Sequence, residues 1–119
     1  MAAPNIAATT SLTGATSVTA DVGTSATSVV SNAAASDKVY KVDTLMIANT
    51  TGADVTVTVD FYRSSNAYEF VKDVTVPTGA VMDALTKPIY LEEGDSLRVT
   101  SSATTSLDVI SSYAIIDDV

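Results

Sequence analysis

Between Asp54 and Asp60 the chain reads Asp-Val-Thr-Val-Thr-Val-Asp, apolar and polar side chains in strict alternation. A period of two sets every second residue on the same side of an extended backbone. Val55, Val57, Val59 and then Phe61 therefore line one face, and Thr56 and Thr58 the other. Such a strand needs neighbours along its edges and a second layer over its apolar face. The flanking sequence supplies both. Val39 to Asn49 reads as a strand with Val42, Leu45 and Ile47 toward the core, and the uneven spacing predicts a bulge or a twist. Leu97 and Val99 alternate on another, and Leu107, Val109, Ser111, Tyr113 and Ile115 share a face of the last. Thr16–Val22 and Ser25–Val30 are weaker strands around Gly23.

Turn residues separate these runs at intervals of about 8–12 residues, which is the spacing of an all-β sandwich or barrel. Thr50-Thr-Gly-Ala53 is one turn, with Gly52 free to take positive φ. Arg63-Ser-Ser-Asn66, Pro77-Thr-Gly79 and Glu92-Glu-Gly-Asp95 are others, and Lys87-Pro88 breaks the short apolar run 80–85. In the aromatic stretch, Phe61 is expected inward, Tyr62 outward, and one of Tyr68 or Phe70 toward the core. No helical period is visible. The expected fold is all-β, an antiparallel β-sandwich of about eight strands with jelly-roll-like connections. Its core is expected to include Val55, Val57, Val59, Leu97, Val99, Leu107, Val109 and Ile115.

A chain of 119 residues fits one domain, expected here at 16–119. Residues 1–15 read as an extended N-terminal arm. Pro4 excludes a strand interior, and Ile6 and Leu12 are the arm's only large aliphatic side chains after Met1. Two aliphatic anchors and a row of free backbone groups suit docking on a neighbour's sheet edge.

With no His and no Cys, the chain has neither an imidazole base nor a thiolate nucleophile. Its 14 acidic and 6 basic residues give a net charge of −8, which repels nucleic acid and anionic membranes. No segment approaches the ~20 apolar residues that span a bilayer. There is no Lys or Arg before Lys38, so the charged start of a signal peptide is missing and the cytoplasm is the expected site of synthesis and assembly. Glu92-Glu-Gly-Asp95 offers carboxylates to a cation such as Ca²⁺, but without EF-hand spacing it reads as a hydrated turn. Nothing aims two carboxylates at one groove, as glycoside hydrolysis requires. Enzymatic activity, cofactors and metals are accordingly not expected. Phe61, Tyr62, Tyr68 and Phe70 make up most of the chain's five Tyr and two Phe. Tyr62, Arg63, Asn66 and Tyr68 are candidates for a surface loop that binds sugar, although a packed hairpin tip accounts for the same cluster.

Several phrases together resemble small virion structural proteins of tailed bacteriophages, notably those of cyanobacterial phages. They are Met1-Ala-Ala-Pro-Asn-Ile6, Ser36-Asp-Lys-Val-Tyr-Lys-Val42, Asp60-Phe-Tyr-Arg-Ser-Ser-Asn-Ala-Tyr68, Val76-Pro-Thr-Gly79, Ile89-Tyr-Leu-Glu-Glu-Gly-Asp-Ser-Leu-Arg98 and the closing 107–116 strand. The resemblance implies a β-sandwich component of a virion, present in many copies, and carries no catalytic residue with it. The expected function is that of a capsid decoration (cement) protein, bound to the major capsid protein or other virion proteins as a homo-oligomer, with a trimer as the guess. The alternative is a neck, tail or fibre module that binds host glycan.

Overall fold

The computed structural model describes residues 11–104 and 107–117. They form nine strands: β1 (Ser11–Val22), β2 (Thr27–Ser31), β3 (Lys38–Asn49), β4 (Val55–Arg63), β5 (Asn66–Val76), β6 (Val81–Asp83), β7 (Ile89–Leu91), β8 (Ser96–Ser101) and β9 (Leu107–Asp117). No helix occurs among the described residues. One sheet runs β1-β9-β3 and then β6, with β7 also on β3; the other runs β2-β8-β4-β5. All the pairings are antiparallel.

This is the jelly-roll order. The chain changes sheet at each connection apart from the β4–β5 hairpin and the step from β6 to β7. The count of nine reduces to the expected eight on inspection. β6 pairs with Met46–Ala48 and β7 with Tyr40–Val42 of the same strand, so the two are halves of one edge strand interrupted near Pro88.

The core is aliphatic, as a chain without Trp demands. Val42, Leu45, Ile47, Val57, Val59, Leu91, Leu97, Val99 and Leu107 are fully buried and belong to one cluster. Alternation puts them there: Val55, Val57 and Val59 point inward while Thr56 and Thr58 stay on the wet side. The uneven spacing in β3 is a bulge. The register against β9 slips between Val42 and Thr44, which keeps both Val42 and Leu45 inside.

The structure departs from the sequence reading at three points and leaves one freedom unused, that of Gly52. Ile115 is half-buried beside Tyr40 at one end of the inner face, and Ile116 is the buried residue, facing Val39 on the outer side of the first sheet. Neither Tyr68 nor Phe70 turns into the core; both are exposed, and Val71 packs there instead. Gly52 does not take positive φ, and the turn it belongs to is organised by Asn49. Residues 11–15, expected in the arm, are the first part of β1 and pair with Tyr113–Asp117 of β9.

Two buried amides hold the ends of the sandwich. The Asn49 Nδ2 donates to the carbonyls of Ala53 and Val76 at 2.8 and 2.9 Å, and its Oδ1 accepts from the N–H and hydroxyl of Thr51. The Asn32 Nδ2 donates to the carbonyls of Lys38 and Leu91, and its Oδ1 accepts from the Ser36 hydroxyl. Each amide thus replaces the ladder where strands diverge into loops.

Candidate functional site

The acidic turn and the candidate sugar-binding loop meet in one polar cluster. Gly94, at φ 85, lets Glu92–Asp95 close with a hydrogen bond from the Asp95 N–H to the Glu92 carbonyl at 3.1 Å. That turn carries the Asp95 carboxylate inward until it is 1% exposed. Arg63, at the end of β4, meets it with both Nε at 2.7 Å and Nη2 at 2.5 Å, and Nη2 also reaches Glu92 at 2.9 Å. The Glu92 N–H donates at 2.8 Å to Asp95 Oδ2, the oxygen that Nη2 also meets. The hydrogen bond to Asp95 raises the Arg63 guanidinium above the ordinary arginine range, opposed by desolvation; the charge of Asp95 and contacts with Glu92 add lesser upward contributions. The Asp95 oxygens are committed to Arg63 and the backbone, so the cluster works as a clasp between β4 and the β7–β8 turn. A second pair lies nearby on the outer face of the same sheet: Arg98 donates to Asp60 at 2.9 Å and stacks 3.9 Å above the Tyr62 ring.

The candidate loop residues do not converge. Tyr62 is paired with Ala67, and Tyr68 with Phe61, so the two tyrosines stand on opposite faces of the β4–β5 hairpin. Tyr62 lies under Arg98 and Arg63 is held in the clasp. The Asn66 Nδ2 turns back to the Ser64 carbonyl at 3.2 Å. Arg63, Asn66 and Tyr68 are all exposed, Tyr68 at 58%, and Tyr62 is half-buried.

The sheet edges differ from one another. β5 is long, but its register slips on either side of Val59; Asp73 takes φ 48 there and is held by the Thr58 hydroxyl. β2 is five residues with a slip between Ser28 and Val30. The β6/β7 edge is split into three-residue pieces. Bulges, shortness and interruption are the devices by which sheets resist pairing with other chains. β1 has none of them from Ser11 to Thr19, where the register with β9 runs unbroken. That stretch holds no charged residue and no proline, only Ser, Thr, Gly, Ala, Leu and Val. Among the described residues its single ladder partner is β9. Leu12 and Val18 stand on its outer face, 67% and 68% exposed.

The first sheet's outer face carries two apolar rows fixed by register. Val18, Ile110 and Met46 are one; Leu12, Ile116 and Val39 are the other. Thr16, Ser112 and Thr44 lie between them. Of the expected assembly residues, Leu12 thus lies on a strand edge, while Pro4 and Ile6 fall outside the described residues. Neither the β1 edge nor these rows was foreseen. The signal available was the uncharged run 11–20, which reads equally as linker.

No protein-family model matches the chain, and no curated protein sequence matches it. Among solved structures it is similar to a chain from work entitled "Bacillus endospore appendages form a novel family of disulfide-linked pili", at a TM-score of 0.55 and 13% identity, covering 100% of this chain and 97% of that one. At that identity the likeness is one of fold: an all-β sandwich matched along its whole length.

Proposed function

We propose that this chain is a non-enzymatic structural subunit that acts by assembly, joining copies of itself and neighbouring structural proteins through a sheet edge. The observation that carries the reading is the contrast among the edges. Among the described residues three are short, split or bulged, and β1 alone is long, regular and uncharged through Leu12–Thr19. An open edge of that kind is a template for another strand, because its backbone donors and acceptors point outward and need partners.

The likeness to a pilus-forming protein supports a polymer as the setting. This chain has no Cys, so its own links would be non-covalent where that protein's title speaks of disulfides. The second setting is the virion surface, as a cement protein on a capsid, and it is supported by the phage-like phrases in the sequence. The sugar-binding tail module has less behind it, because Tyr62 and Tyr68 face opposite ways. Electron microscopy and sedimentation of the purified full chain test the reading. Filaments or discrete oligomers that grow with protein concentration support it; a monomer at every concentration and ionic strength overturns it.

A further inference from the structure

We infer that the β1 edge is a two-fold seam: β1 of one molecule pairs antiparallel with β1 of a second copy, with Ala15 on the axis. This deepens the assembly reading by naming the partner strand and its register.

Three observations converge on it. The register with β9 is unbroken through Leu12–Val18, the two exposed aliphatic positions of the edge, and the midpoint between them is Ala15. Centred there, Thr13 of one copy meets Ser17 of the other, and Gly14 meets Thr16. The same register sets Leu12 against Val18 of the second copy, on the same face. These are the most exposed aliphatic side chains of the described residues, and directly opposed side chains on one face of an antiparallel pair touch. Among the described residues neither row continues past Leu12 or Val18 at this edge; the seam extends both.

The rows then continue across the joint. Met46, Ile110 and Val18 of one copy run into Leu12, Ile116 and Val39 of the other, and the two-fold repeats the arrangement in reverse. A two-fold axis perpendicular to the sheet is what antiparallel edge pairing requires, so both outer faces lie on one side of the joined sheet. Charge selects a second copy at this place. The molecule carries −8, which opposes self-contact elsewhere, but Ser11–Ala20 contains no ionisable side chain, and Gly14 and Ala15 at the centre leave room for a close backbone approach.

The absence of native cysteine makes the test direct. Ala15→Cys is oxidised in parallel with Ser65→Cys, a thiol on the exposed β4–β5 turn that reports random collision. Opposed strand positions lie within disulfide range in either ladder geometry. Ala15→Cys is expected to form covalent dimer more than about tenfold faster than Ser65→Cys, since a seated pair raises the effective thiol concentration. A mixture of Thr13→Cys and Ser17→Cys chains is expected to link to each other and not to themselves, because only unlike positions are opposed. Val18→Lys, at an exposed site, is expected to keep its circular dichroism and melting temperature but sediment as monomer. Equal rates for Ala15→Cys and Ser65→Cys, or self-linkage of Thr13→Cys, overturn the seam. If those results come from protein that still forms large assemblies, the assembly reading stands and the seam alone is wrong. A linked Ala15→Cys dimer that never assembles further supports the seam and removes the polymer.

Discussion

The Asn49 side chain makes four hydrogen bonds with three residues and the residue is 1% exposed, so truncating it strips a donor from the Val76 carbonyl and an acceptor from the Thr51 N–H, while the Ala53 carbonyl keeps the Thr51 hydroxyl. Each buried unsatisfied group costs about 1–3 kcal/mol. Asn49→Ala is therefore expected to lose about 2–4 kcal/mol, read as a lower urea midpoint with an unchanged slope. Asn49→Asp is expected to be worse at neutral pH, because it turns a carboxylate oxygen toward two carbonyls in place of a donor, and to recover in part on acidification. Val57 is fully buried at the centre of β4. Val57→Asp would bury an unpaired charge, and is expected to leave no cooperative melting transition. A soluble Val57→Asp protein that melts cooperatively contradicts the core described above.

At the scale of elements, the hairpins are held by uncommon backbone geometry. The β4–β5 loop is Ser64-Ser65, with φ values of 52° and 63°. Positive φ at both central residues is the mirror-image turn that matches strand twist, and Asn-Gly is the pair that favours it. Replacing Ser64-Ser65 by Asn-Gly is expected to stabilise the protein by about 1 kcal/mol, seen as a rise in melting temperature. Gly94 works in the opposite sense. A Cβ there meets no atom within 4 Å, yet φ is 85°. Gly94→Ala is expected to cost about 1–2 kcal/mol through backbone strain alone and to loosen the Arg63 clasp.

For the whole molecule the controlling quantities are charge and edges. With a net charge of −8, copies repel at low ionic strength, and salt shortens the range of that repulsion to about 8 Å at 0.15 M. Self-association is expected to strengthen as sodium chloride rises from low to physiological concentration. Dependence in the other direction would point to a partner of opposite charge. Calcium enters differently. Asp95 already spends its oxygens on Arg63 and the Glu92 N–H, so adding calcium or a chelator is expected to leave the melting temperature unchanged.

Much of the fold was legible in the residues themselves. The two-residue period of Val55–Val59, Leu97–Val99 and Leu107–Val109 determines which face is buried, because a one-residue slip would expose every apolar side chain of the strand. The bulge in β3 was legible for the same reason, since Val42 and Leu45 cannot both face inward in an unbroken strand. Local pattern does not say where a strand sits in a sheet. Tyr68 and Phe70 are as apolar as core residues, yet β5 is an edge strand and, among the described residues, no strand lies on its outer flank to cover them. Ile115 and Ile116 are chemically alike, and their depths depend on how the ends of two sheets meet. Ser11–Ala15 looked like arm because small polar residues carry little intrinsic preference; pairing with β9 alone makes them strand. The β1 edge is the plainest case. A run of Ser, Thr, Ala and Gly without charge means linker or strand in the sequence, and becomes an open seam only when the jelly-roll order leaves it at the border of a sheet.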